Sequence, residues 1–286
     1  MIKNIAIVGG THGNEFTGVY LLKKLEQELQ VASAQIHYLL ANPEAHQAVK
    51  RYMDRDLNRC FKQVDLDNLE LQGYENQRAK EINQELGPKG SAKTDFIIDL
   101  HTSTAPMGIN LVITKADPFH LKLVDYVQQR LDGVTITWEE IEDHHFLMSI
   151  AKSHVLVEVG ATPQGVLRQD VFDKTEAAVR SIIEFIELYN SNDLPANSES
   201  VEVYKYFDVA YLPQDENGEI IGMVHQNIQD RDFQPLKKGE PIFKLFTGED
   251  VLYHDEGCII SFINEAAYYD EKKAFSMSRK MELDIV

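Results

Sequence analysis

The sequence predicts an α/β protein followed by a small β-rich unit. Three observations carry this. Short apolar strands recur through the first two thirds of the chain, and amphipathic helices separate most of them. The strands read as continuously apolar rather than alternating, so the sheet needs cover on both faces. A polar stretch with a proline, NSNDLPANSES (190–200), then ends the pattern, and β-type runs follow it.

Each element has its own signal. IAIVGG (5–10) is a buried-type strand. In EFTGVYLLKKLEQEL (15–29), Phe16, Val19, Leu22, Leu25 and Leu29 recur at helical spacing. QIHYLLAN (35–42) is the next strand, and Pro43 suits the first helical position of the segment after it. YENQRAKEINQEL (74–86) is a helix stopped by Gly87-Pro88. DFIIDLH (95–101), GINLVIT (108–114) and SHVLVEVG (153–160) are strands. FHLKLVDYVQQRL (119–131) and DVFDKTEAAVRSIIEFIELY (170–189) are helices. Beyond the linker, VEVYKYFDVAYL, EPIFKLF, VLYH and CIISFI read as strands, with Asn217-Gly218 as a hairpin signal. The boundary falls between 1–195 and 196–286.

Composition excludes several classes. The 286 residues carry 46 acidic and 28 basic side chains, a formal net charge of −18. That field repels nucleic acid and anionic membrane. No apolar run approaches the ~20 residues that span a bilayer. MIKNIAIVGG has no apolar core of a signal peptide, so a cytoplasmic location is expected. Cys60 and Cys258 are too few for a disulfide framework and lack the spacing of a thiolate zinc site. They read as small buried thiols.

Ligands of open α/β sheets bind beyond the carboxyl ends of the strands. His12 and Glu15 follow the first strand, His101 ends the strand 95–101, and Glu158 lies near the end of 153–160. Two histidines and a carboxylate, with a position left for water, form the ligand set of a hydrolytic zinc site. Zinc lowers the pKa of such a water to roughly 7. Other divalent ions also suit this set. Singly, GGTHGNE also reads as a tight turn and helix cap, and His101 as a satisfied core histidine. Glu158 interrupts a strand that reads as buried, so it is either structurally paired or functional. As a carboxylate outside the ligand set, it is the candidate general base. Arg51, Arg55 and Arg59 cluster in RYMDRDLNR. Asn58 beside Arg59, read here as a loop, can grip one carboxylate from two sides. Arg55 reads as a surface ion pair.

GGTHGNE, RYMDRDLNR, DLHTST, VEVG with PQGVLR, and NEAAYY stand in an order and spacing that resemble the aspartoacylases. That group is related to succinylglutamate desuccinylase and, more distantly, to the zinc carboxypeptidases. The resemblance implies a carboxypeptidase-like mixed sheet flanked by helices, with a small C-terminal β domain partly covering the site. It implies one zinc ion per subunit, held by His12, Glu15 and His101. Glu158 would activate the water and pass the proton to the leaving amine. Arg51 would polarise the acyl carbonyl, Asn58 and Arg59 would hold the α-carboxylate, and Tyr268 would reach the substrate from the C-terminal unit. The implied partner is a small N-acyl amino acid, foremost N-acetyl-L-aspartate, cleaved to acetate and aspartate. A homo-oligomer is also in keeping with the resemblance.

The side-chain pocket departs from the pattern. Met148 stands where the aspartate-specific enzymes carry an arginine, His144 where they carry a tyrosine, and Glu271 in place of a lysine, with Lys272 one step on. A buried carboxylate that loses its charged partner costs on the order of 2–5 kcal/mol. N-acyl derivatives of neutral or aromatic amino acids are therefore expected to compete as substrates. His144, His145 and Lys272 are the candidates to restore a cation. A third reading, a metal- or metabolite-binding protein without turnover, calls for a missing base, and Glu158 is present.

Overall fold

One sheet of ten strands runs through most of the chain, in the order β2-β1-β3-β6-β4-β5-β7-β13-β12-β9. The computed structural model describes residues 1–286. In chain order the elements are β1 (Asn4–Gly9), α1 (Phe16–Glu28), β2 (Gln35–Leu40), α2 (Pro43–Gln47), α3 (Gln63–Asp67), α4 (Tyr74–Leu86), β3 (Phe96–Ser103), β4 (Gly108–Ile113), α5 (Pro118–Gln128), β5 (Val134–Trp138), β6 (Ser153–Gly160) and α6 (Gln169–Ser191). Then come β7 (Ser200–Tyr211), β8 (Gly222–Val224), β9 (Gln234–Leu236), β10 (Pro241–Leu245), β11 (Asp250–Leu252), β12 (Cys258–Ser261) and β13 (Lys273–Asp284).

The central strands are apolar because both their faces are covered. Alternate residues of β3 point into separate cores. Ile98 and Leu100 join a cluster with α1, α5 and α6, while Ile97 joins one with α4 and Leu57–Arg59. Truncating such a buried aliphatic side chain to alanine costs about 2–5 kcal/mol. Helix starts follow their caps: Asn42 accepts from the Ala45 amide and Asp117 from the His120 amide, each with proline at the first helical turn. Asn192 closes α6 in the left-handed region, and the linker to β7 follows. Cys60 and Cys258 are free and buried. No helix is long and apolar enough to cross a membrane.

Two features differ from the sequence reading. β5 was not anticipated, because five residues are too few to show a clear period. Leu57–Arg59 is a turn of 3-10 helix rather than an irregular loop, capped by the Asp56 side chain on the Asn58 amide. β5 has a large consequence. It pairs in parallel with β7 through Thr137↔Tyr204 and Trp138↔Lys205. β7 pairs in turn with β13 along almost its whole length. The C-terminal strands therefore extend the sheet of the first unit. Only β11-β10-β8 form a separate small sheet, which helps enclose a third core around Phe243, Tyr253 and Phe275.

Candidate metal centre and substrate cavity

The turn after β1 brings His12 and Glu15 to one point because glycine permits a close approach. A Cβ on Gly13 would lie 2.1 Å from the Ala45 carbonyl carbon. Gly10 has φ +68, a conformation that side chains rarely adopt. β1 and β3 are parallel neighbours, so His101 at the end of β3 lies beside this turn. His12 Nδ1 is 2.7 Å from Glu15 Oε1. His101 Nδ1 is 3.1 Å from both His12 Nδ1 and Glu15 Oε2. All three residues are buried.

The far side of each imidazole meets a carboxylate. His12 Nε2 lies 3.0 Å from Asp56 Oδ1, and His101 Nε2 lies 3.2 Å from Asp99 Oδ2. An ionised carboxylate only accepts, so a proton on each Nε2 would leave each Nδ1 with a lone pair for a metal. Three acceptor atoms then converge with no proton shared among them, and such an arrangement calls for a cation. Separations of 2.7–3.1 Å are near the ~3.3 Å edges of a tetrahedral zinc site with bonds of ~2.0–2.1 Å. Without a metal, a proton on His101 would supply the positive charge instead, and metal binding would displace it. Burial opposes charge on His101, but Asp99 and Glu15 overcome it and hold the imidazole well above its ordinary range. Burial alone would raise Glu15, yet the His12 and His101 imidazoles hold its carboxyl far below the usual carboxylate range. The donor set fits zinc.

Arg51 is buried against this centre, with Nη1 3.1 Å from Glu15 Oε1 and Nη2 3.0 Å from Asp56 Oδ2. Asn58 is held by the Leu147 amide, which donates to its Oδ1 at 2.8 Å. Its Nδ2 is 3.4 Å from His101 Nε2, too long to compete with Asp99. Glu158 is the register partner of His101 across β3 and β6. Burial lifts its carboxyl well above the usual range, while His101 pulls the other way. A cavity of about 270 Å³ brings together His12, Arg51, Asn58, Arg59, Glu158 and Tyr268. His101 also lines it, and Glu15 lies directly behind.

Residues 1–186 match the succinylglutamate desuccinylase/aspartoacylase catalytic domain, and residues 199–280 match the AstE/AspA barrel-sandwich hybrid domain. The chain belongs to the succinylglutamate desuccinylase/aspartoacylase family. A probable aspartoacylase of Trichodesmium erythraeum is 43% identical over 291 residues, covering 99% of each chain. The rat N-acyl-aromatic-L-amino acid amidohydrolase (carboxylate-forming) is 42% identical over 297 residues, covering 99% of this chain and 92% of that one. The crystal structure of murine aminoacylase 3 superposes with a TM-score of 0.94 at 42% identity, covering 99% and 97% of the two chains. Succinylglutamate desuccinylase from Vibrio cholerae, at 19% identity and a TM-score of 0.66, shares the fold.

In this family member the anticipated side-chain pocket is built differently from the sequence expectation. Met148 does not face the cavity. It is 0% exposed and packs in the core with Leu57, Phe61 and Ile150. The 3-10 turn Leu147–Ile150 directs it inward. Lys272 also points away, with Nζ 2.5 Å from the Gly218 carbonyl. His144 does not line the cavity, whereas His145 does. Burial pushes both imidazoles down, to about 4 and about 3, so neither carries charge at neutral pH. Glu271 is bridged to Lys273 at 2.5 Å and to Arg59 at 3.7 Å. Arg55 pairs with Asp65 at 3.6 Å and lies outside the cavity.

Four carboxylates of the site were not singled out from the sequence: Asp56, Asp99, Glu139 and Glu265. Asp99 had the same signal as Glu158, a charge inside an apolar strand. Glu265 sits within NEAAYY, and its cap role on the Ala267 amide is a recognisable local pattern.

Proposed function

We propose that this chain hydrolyses the amide bond of N-acyl-L-amino acids, with zinc held by His12, Glu15 and His101. The observation that carries the reading is the convergence of three acceptor atoms beside Glu158, in a cavity that also holds Arg51, Asn58 and Arg59. Bound zinc would acidify a water and polarise the acyl carbonyl. The remaining steps belong to side chains. Glu158 has no side-chain hydrogen bond of its own, so its carboxyl is free to meet a water and the leaving amine. It takes a proton from the attacking water and gives it to the leaving amine nitrogen. Arg51 sets a fixed positive charge beside the acyl oxygen. Asn58 Nδ2 and Arg59 grip the α-carboxylate. Tyr268 closes the cavity from the C-terminal side. On this reading residues 1–195 carry metal and base, and 196–286 supply the cover.

Among substrates, the cavity favours neutral or aromatic amino acids over aspartate. The two classes of named relative are almost equally similar, so identity does not separate them. The lining does. Val112, Ile141, Leu156 and Val209 give it apolar walls, and its cations other than Arg51 are Arg59 and Lys273, both bridged to Glu271. The test is kcat/KM for N-acetyl-aspartate, N-acetyl-phenylalanine and N-acetyl-tyrosine on the zinc-restored protein. A preference for aspartate above about a hundredfold overturns this choice, since that ratio corresponds to about 2.7 kcal/mol of dedicated recognition.

A further inference from the structure

One carboxylate in the cavity has no role in the chemistry above. Glu139 follows directly after β5, and its amide donates to the Ile113 carbonyl at 2.9 Å. Side chains alternate along a strand, so Glu139 continues the face of Thr135 and Thr137. Thr137 is the register partner of Val112, which is in turn the partner of Leu156, two residues before Glu158 on the same face. Glu139 lines the cavity with these residues. Its carboxylate makes no hydrogen bond or ion pair with any residue. Burial raises its pKa, while Arg59 and Lys273 act on it from across the cavity. Both of those cations are already bridged to Glu271. Burial together with Glu139 also pushes the phenol of Tyr206, another lining residue, up to about 12.

Glu139 is half-buried in the cavity wall with no partner of its own, and nothing in the packing requires a carboxylate there. Its surroundings match a ligand with an apolar body and a donor at its tip. We propose that Glu139 sets side-chain selectivity here: it repels an acidic side chain and accepts a bulky apolar one that ends in an N–H or O–H. The shared chemistry is that of tyrosine and tryptophan on one hand and of lysine and arginine on the other. A second carboxylate entering the cavity meets a like charge, and the nearby Arg59 and Lys273 are already shared with Glu271. This inference rests on the N-acyl amino acid reading.

The test uses the full zinc-restored chain and ratios of kcat/KM between two substrates, which cancel the active fraction of each preparation. In the wild type, N-acetyl-tyrosine should exceed N-acetyl-phenylalanine by about tenfold, mostly through KM, as a buried hydrogen bond to a carboxylate warrants. Glu139→Leu should bring that ratio to about one. Glu139→Gln keeps the shape and removes the charge, so it should raise N-acetyl-aspartate relative to N-acetyl-phenylalanine by about tenfold. N-acetyl-arginine against N-acetyl-norleucine separates a cationic donor from a neutral one. Wild-type ratios near one for both donor pairs overturn the proposal, whether or not the variants fold. So does an aspartate ratio that Glu139→Gln leaves unmoved. Failure of the wild type to hydrolyse any of these substrates overturns the amidohydrolase reading itself, a different result from hydrolysis with unchanged ratios.

Discussion

Glu265 reaches from the C-terminal segment to Ser103, two residues beyond His101 on the same strand. The Ser103 hydroxyl donates to Glu265 Oε2, and the Thr104 and Ala105 amides donate to the same oxygen at 2.8 and 3.3 Å. Its other oxygen accepts from the Ala267 amide at 3.0 Å, one residue before Tyr268. One carboxylate thus fixes the 3-10 turn that carries Tyr268 against the end of β3. Glu265→Ala should lower kcat/KM by about tenfold or more and reduce unfolding free energy by about 2–4 kcal/mol. Steady-state kinetics and chemical denaturation measure the two effects. Full activity with normal stability would remove Glu265 from the site's support.

Glu158→Gln should retain metal and fold but lose roughly a hundred- to ten-thousandfold in kcat. Metal analysis and thermal melts check the first half, and turnover the second. A variant with normal zinc content and wild-type turnover would show that Glu158 is not the base.

Chelation should lower the melting temperature, and added zinc should restore it, because a metal that binds only the folded state stabilises it by mass action. His101→Ala should abolish that response. A melting temperature indifferent to both chelator and zinc would mean that the three acceptor atoms hold no metal.

Met148→Leu should leave the ratio of N-acetyl-aspartate to N-acetyl-phenylalanine unchanged and cost less than about 1.5 kcal/mol, since the side chain fills core volume. Met148→Arg should destabilise by several kcal/mol, roughly 3–5, by putting an unpaired charge into that core. A stable Met148→Arg variant with gained aspartate activity would return this residue to the pocket.

His154 is buried, with Nε2 2.7 Å from the Thr114 hydroxyl and Nδ1 3.3 Å from the Ala151 carbonyl. Burial, helped by His120, pushes its pKa down to about 3. The unfolded chain therefore binds a proton near pH 6.5 that the folded chain refuses, and stability falls as pH drops below about 6.5. Denaturation midpoints should decline from pH 7 to pH 5, and His154→Gln should flatten that decline. An equally steep decline in the variant would assign it to other groups.

The elements around the site were legible because each had a local cause: apolar strands covered on both faces, apolar residues at helical spacing, Pro43 at a helix start and Gly87-Pro88 at a helix end. β5 was not, since its identity comes from its neighbours β4 and β7 rather than from its own five residues. Among the site residues, His12, Glu15, His101 and Glu158 were legible because polar groups at strand ends stand out against apolar runs. Met148 misled because sequence spacing does not say which way a 3-10 turn faces. Glu139 carried no mark in the sequence, where it is one acid in an acidic loop. Only the register of β5 against β4 turns it toward the cavity.

The ladder from β5 to β7 bears on how this site can change. Lys205 strengthens the junction, with Nζ 4.0 Å over the Trp138 ring and 2.8 Å from Glu140. The lining strands β4, β5, β6, β7 and β13 form the floor as parts of one sheet, so a larger guest is expected to be admitted through changed side chains rather than through two lobes swinging apart. New preferences in this scaffold must be written one side chain at a time, at positions such as 137, 139, 206 and 278 along the floor. Relatives with different diets are then expected to share a backbone and to differ at these points.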